Sequence, residues 1–136
     1  MTNIIYPMFL MALLAFIIGP MILITRIRAV NAGKLPMRYF EIFQGGKPPE
    51  AVTKTTRNWS NLFEAPMLFY IVCLLALAIQ LESALLTSLA WVYVILRVGH
   101  SVVHLTYNNV YHRFVFFLLS MIVLLAMWIV AFIQVI

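Results

Sequence analysis

Polar side chains with helical spacing lie in and beside apolar stretches of this chain. Arg57, Asn61 and Glu64 fall at offsets of 0, 4 and 7. At about 100° per residue they make one narrow stripe on a helix. Arg97, His100, His104, Tyr107 and Tyr111 fall at offsets of 0, 3, 7, 10 and 14, a heptad spacing. That spacing holds all five within about 80° of arc. Charges inside a membrane span cost roughly 2.5–3.5 kcal/mol each on insertion scales, so such residues are functional suspects by default. Two polar stripes on adjacent helices cannot both face lipid; they must face the bundle interior or a subunit interface. A structural account pairs Glu64 with Arg97, because a buried carboxylate without a cation is severely penalised. Function is compatible with that pairing. Arg57, Asn61, Tyr107, Tyr111 and Arg113 gather at one end of their helices, around a cavity open to that side. Guanidinium groups grip carboxylates bidentately and an amide both donates and accepts, so this set suits a small, anionic, multiply polar ligand.

Other chemistries are less well supplied. His100 and His104, at i and i+4, could share a metal with Glu64, but half-sites of this kind recur by chance. No G-x-S-x-G elbow is present, and Gly99-His100-Ser101 does not make one. Gly45-Gly46-Lys47 lacks both the spacing and the strand–helix setting of a phosphate loop. Cys73 sits in an apolar run with no cationic neighbour to activate it, which makes it structural filler.

Composition explains what positions these residues. Of 136 residues, 65% are apolar or aromatic and 10% charged, where soluble domains run nearer half and a quarter. With a mean hydropathy of +1.03, the chain reads as a single integral membrane domain. It is too apolar for a cytosolic enzyme, a disordered tail or a secreted disulfide scaffold. Uncharged or nearly uncharged stretches predict four helices, at about 4–25, 59–81, 83–105 and 114–136. Gly19-Pro20 is expected to kink the first, and the short Gln80-Leu81-Glu82-Ser83 link makes helices two and three a tight hairpin. The remaining segment, 26–58, is the one substantial loop, broken by the turn-forming Gly45-Gly46-Lys47-Pro48-Pro49. Seven of the nine Lys/Arg lie between Arg26 and Arg57 with only Glu41 and Glu50, so this segment carries +5, the net charge of the whole chain. The positive-inside rule then places it in the cytoplasm, with both termini on the far side of the membrane. A basic loop beside anionic lipid headgroups accounts for the charge without nucleic acid, for which no aromatic–basic motif is present.

Arg57-x-x-x-Asn61-x-x-Glu64 with Pro66 just beyond, Arg97-x-x-His100 and Arg113 opening the fourth helix together resemble the membrane-associated proteins in eicosanoid and glutathione metabolism (MAPEG). The run from Arg57 to Tyr70 resembles a bacterial branch of that family, which implies a bacterial inner membrane. The resemblance spans essentially the whole chain. It implies an all-α four-helix bundle assembled as a homotrimer, with glutathione as co-substrate bound between subunits near the cytoplasmic face. It implies that Glu64 holds the tripeptide's amino group and that Arg57 and Asn61 serve its carboxylates and backbone. Arg97 would brace Glu64, His100 would line the pocket, and Arg113 would stabilise the thiolate. Arg26 or Arg28 would supply a helix-one arginine. The implied activity is that of a glutathione transferase or peroxidase acting on a lipophilic electrophile or hydroperoxide that enters from the bilayer. The chain departs from the family pattern at Ala65, where a tyrosine commonly follows the glutamate, and at His104, where relatives often carry a tyrosine. Tyr107 or Tyr111 would replace that phenol. The alternative implied by these departures is a non-catalytic member that binds a lipid or a partner protein.

Overall fold

The computed structural model describes residues 4–134. Five helices run in the order α1 (Ile5–Asn31), α2 (Tyr39–Ile42), α3 (Glu50–Ala78), α4 (Ala84–Leu105) and α5 (Val110–Ile133). All but α2 are long and apolar enough to cross a membrane. The expected end of the fourth span at 135–136 and the chain's first three residues lie outside the described residues, and the expected placement of both termini falls with them.

Polarity sorts the helices. The most apolar windows, in α1 and α5, have mean hydropathies of 2.5 and 2.8 and are the least buried. The corresponding windows of α3 and α4 reach only 1.8 and 1.5 and are buried most. Lipid tails solvate leucine as well as a protein core does, so in a bilayer the polar helices go to the middle. Phe69 of α3 stacks on Tyr93 of α4, with ring centroids 4.6 Å apart at an interplanar angle of 12°. Cys73 is buried beside them.

The helices are longer at the basic end than expected. α1 continues through Arg26 and Arg28 to Asn31, and α3 starts at Glu50 rather than near Trp59. Arginine and lysine are good helix formers once their charges reach water. Pro49 caps α3 with φ −54°, and Glu50 in the first turn complements the helix dipole. The loop expected over 26–58 is therefore a connection of residues 32–49, with the single turn α2 inside it. Lys54 fastens this end: its Nζ pairs with Glu50 at 2.8 Å and donates to the Thr106 carbonyl, past the end of α4, at 3.0 Å.

The two hairpins follow turn chemistry. After α3, Gln80 adopts a left-handed φ of 54° and Leu81 N–H reaches back to the Ala76 carbonyl at 2.8 Å. Ser83 then caps α4 by accepting from Leu86 N–H. After α4, Asn108 is left-handed with φ 52°, and the Asn109 Oδ1 accepts from His112 N–H at 3.1 Å. Asparagine suits both positions. α5 thus begins four residues before the expected Phe114. α4 stops at Leu105, so Tyr107 and Tyr111 are not on the third membrane helix as the heptad spacing predicts.

Close approach of α4 and α5 depends on Gly99, where an added Cβ would lie 2.5 Å from Cε1 of Phe116. Gly99→Val should therefore force the two helices apart and cost about 1–3 kcal/mol. Thermal unfolding of the detergent-solubilised variant reads this directly; an unchanged melting temperature would show that the Phe116 ring simply swings aside.

Candidate functional site

At the basic end, α3, α4 and α5 bring Asn61, His100 and Arg113 to one recess of about 250 Å³, completed by Val110, Phe114 and Phe117. Asn61 is half-buried. Its stripe companions Arg57 and Glu64 are exposed on the outer flank of α3. The inward flank carries Asn58 instead, fully buried, whose Oδ1 accepts from Ser101 Oγ of α4 at 3.1 Å.

His100 is oriented by the neighbouring helix. Its Nδ1 lies 3.1 Å from the backbone carbonyl of Arg113. A carbonyl only accepts, so Nδ1 carries a proton, and in the neutral ring Nε2 is left as an acceptor. Arg113 itself is half-buried, and its Nη1 donates to Asn108 Oδ1 at 2.9 Å. The left-handed turn that ends α4 thus also aims the arginine.

Arg97 lies deeper, only 1% exposed. Its Nε donates to Tyr93 Oη at 3.1 Å, and its guanidinium lies over the rings of Tyr93 and Phe117 at 5.5 and 5.4 Å. His104 is equally enclosed, its ring 5.9 Å from that of His100. Several buried polar atoms here have no hydrogen-bond partner among the described residues: Nη2 of Arg97, Nε2 of His100, both ring nitrogens of His104 and Nε of Arg113. Buried polar atoms are rarely left unpaired. Of these residues, His100 and Arg113 line the recess itself.

Two expectations require correction. No ion pair joins Glu64 to Arg97 among the described residues. Glu64 faces outward from α3 whereas Arg97 points into the bundle, where two aromatic rings and a phenol receive it. Tyr107 does not join the stripe either. It is 60% exposed in the turn, with its hydroxyl 2.8 Å from Nδ1 of His112, and Tyr111 is exposed on the first turn of α5. Among the described residues no group of three or more His, Cys, Asp or Glu is placed to hold a metal ion; Glu64 is turned away from the two histidines. Sequence reasoning overlooked Asn108, Tyr93 and Phe117. The paired asparagines before α5 were a readable turn-and-cap signal, whereas the two aromatics had no feature to separate them from ordinary core.

The sequence matches the MAPEG family over residues 4–133, nearly the whole chain. The chain belongs to the MAPEG family. No curated protein and no solved structure matches it. As a MAPEG protein with four membrane-capable helices, it is an integral multi-pass membrane protein of a family tied to glutathione and eicosanoid metabolism. Within this MAPEG chain, Asn61, His100 and Arg113 share a recess, Arg57 and Glu64 stand on the outer flank of α3, and Arg97 and His104 lie enclosed behind them.

Proposed function

We propose that this MAPEG protein is a glutathione-dependent membrane enzyme of the transferase or peroxidase type, working as a homotrimer on lipophilic electrophiles or hydroperoxides. The observation that carries the reading is the convergence of Asn61, His100 and Arg113 on one recess, with unpartnered nitrogen atoms around it. Glutathione offers two carboxylates, an ammonium, two amides and a thiol, and needs many hydrogen-bonding groups at once. Arg113 beside the sulfur lowers the cost of its ionised form, the proton leaving to bulk water. The thiolate then attacks an electrophilic carbon and displaces its leaving group, or attacks a peroxide oxygen, breaking the O–O bond to release the alcohol and leave a sulfenic acid that a second glutathione converts to the disulfide and water.

The exposed stripe supports the trimer. Glu64 lies more than one turn inside the apolar stretch that begins at Trp59, among exposed Phe63, Met67 and Leu68. A carboxylate left in that setting against lipid is costly. A neighbouring copy covering this flank, with the glutathione ammonium meeting Glu64, removes the cost. Arg57 on the same flank would take a carboxylate.

Glutathione binding to the detergent-solubilised trimer tests the reading. Glu64→Gln should weaken binding about 10- to 100-fold, the loss of one charged hydrogen bond of ~1.5–3 kcal/mol, while the trimer persists. Undiminished affinity would remove Glu64 from the site. A second reading, a non-catalytic member that binds glutathione, a lipid or a partner, is favoured by Ala65. That residue is buried against its neighbours and brings no hydroxyl to the sulfur. Binding without a thiolate absorbance would select this second reading.

A further inference from the structure

The connection between α1 and α3 presents apolar side chains at the depth where the membrane ends. Ile4 to Thr25 is 22 residues without a charge, which at ~1.5 Å per residue matches a hydrocarbon core of about 30 Å. Arg26 therefore stands at the boundary. Its guanidinium carbon lies 5.3 Å from the ring centroid of Phe40 and 5.6 Å from that of Phe43. Those contacts bring α2 and its C-cap down to the same level. Tyr39, packed with Ala29, Leu35 and Val52, locks the turn in place, and the left-handed Phe43 (φ 54°) redirects the chain. Held in this way, Ile42 and Phe43 are 61% and 54% exposed.

Beside them is a recess of about 390 Å³ lined by Pro36, Arg38, Tyr39, Ile42, Gln44 and Gly45. It offers a cation and an amide above an apolar floor. The surroundings are strongly basic: Lys34, Arg38 and Lys47 are all exposed on the connection. Of the two acids in the segment, Glu50 is already paired with Lys54, which leaves Glu41.

We infer that this connection is a binding site for an anionic phospholipid of the surrounding leaflet. The phosphodiester sits between Arg38 and Gln44, Lys34 and Lys47 stand around it, and Ile42 and Phe43 enter the top of the acyl region. Charge complementarity selects the occupant, since a zwitterionic headgroup would bring its own cation into a basic recess. The apolar floor selects a lipid over a free phosphate. This site is separate from the glutathione reading and does not depend on it.

The test uses the full protein in nanodiscs of phosphatidylcholine with a minor share of phosphatidylglycerol. After detergent extraction, the phospholipid retained on the protein is quantified by mass spectrometry. Phosphatidylglycerol should be enriched at least about twofold over its share, less at high salt because exposed charges are screened. The Arg38→Gln/Lys47→Gln variant should lose the enrichment. Equal retention of both lipids, or enrichment unchanged in the variant, overturns the inference. So does displacement of phosphatidylglycerol by millimolar inorganic phosphate, which would make this a free-anion site. A second measurement needs no charge variant: Phe43→Trp fluorescence, above the wild-type background, should be quenched more by brominated phosphatidylglycerol than by brominated phosphatidylcholine. Protection from both would mean that protein, not lipid, covers the loop.

Discussion

Replacing Arg113 by alanine is expected to abolish the thiolate absorbance of bound glutathione and to lower turnover of a generic electrophile by about 100-fold or more, while the protein stays folded and trimeric. The size follows from the role. A preorganised positive group aimed at developing or resident negative charge in a water-poor site is typically worth 10²–10³ in rate. Arg113 has few structural duties to confuse the result. Its side chain is half-buried and donates a hydrogen bond to Asn108, and the contact with His100 uses its backbone carbonyl, which alanine keeps. Asn108→Ala is the companion variant. It leaves the guanidinium in place but unaimed, and should reduce the thiolate fraction by about 3- to 10-fold, the equivalent of one ordinary hydrogen bond. Asn108→Asp, which keeps the acceptor, should restore it. A structural role for Asn108 would lower the melting temperature without this selective rescue. Full turnover in Arg113→Ala would sink the activated-thiol mechanism itself.

The membrane architecture was legible because it rests on quantities summed over many residues. Four apolar stretches of the right length make four helices, whatever the details. The hairpin at Gln80-Leu81-Glu82-Ser83 was legible because so short a link leaves no other arrangement. Boundaries were less so. The charges predict an end to α1 near Thr25, yet Arg26 and Arg28 extend the helix, since hydropathy reports where the lipid stops and not where the hydrogen bonds do. The polar stripe of α4 held as far as its helix did: Arg97, His100 and His104 are all buried. It failed at Tyr107 because one left-handed asparagine ended the helix first. Partner choice was the least legible part. Spacing said that Glu64 and Arg97 each lay on a stripe, but not that one stripe turns outward on α3 and the other inward on α4. Aromatic rings were the missing consideration: Tyr93 and Phe117 receive Arg97 in the way a carboxylate was expected to.

That substitution of rings for a carboxylate makes Arg97 the source of the second large effect, this time on stability. Arg97→Ala should lower the stability of the detergent-solubilised protein by about 2–4 kcal/mol, through a cavity and a newly unpaired Tyr93 hydroxyl. Arg97 heads the fully buried side chains by size, and its aliphatic stem packs as a hydrophobe would. Removing a buried charge recovers some desolvation energy, but two desolvated cation–π contacts at about 2 kcal/mol each offset most of that gain. The volume is then what the alanine variant chiefly loses, so Arg97→Met, similar in length and uncharged, should regain most of the stability. The decisive comparison adds Glu64→Gln. With no ion pair between the two, the effects of Arg97→Ala and Glu64→Gln on melting should simply add, within about 0.5 kcal/mol. A coupling of about 3–5 kcal/mol, the mark of a buried pair broken from one side, would mean that assembly turns Glu64 inward to meet Arg97. In that case the outer flank of α3 would no longer hold the carboxylate on which the proposed glutathione contact depends.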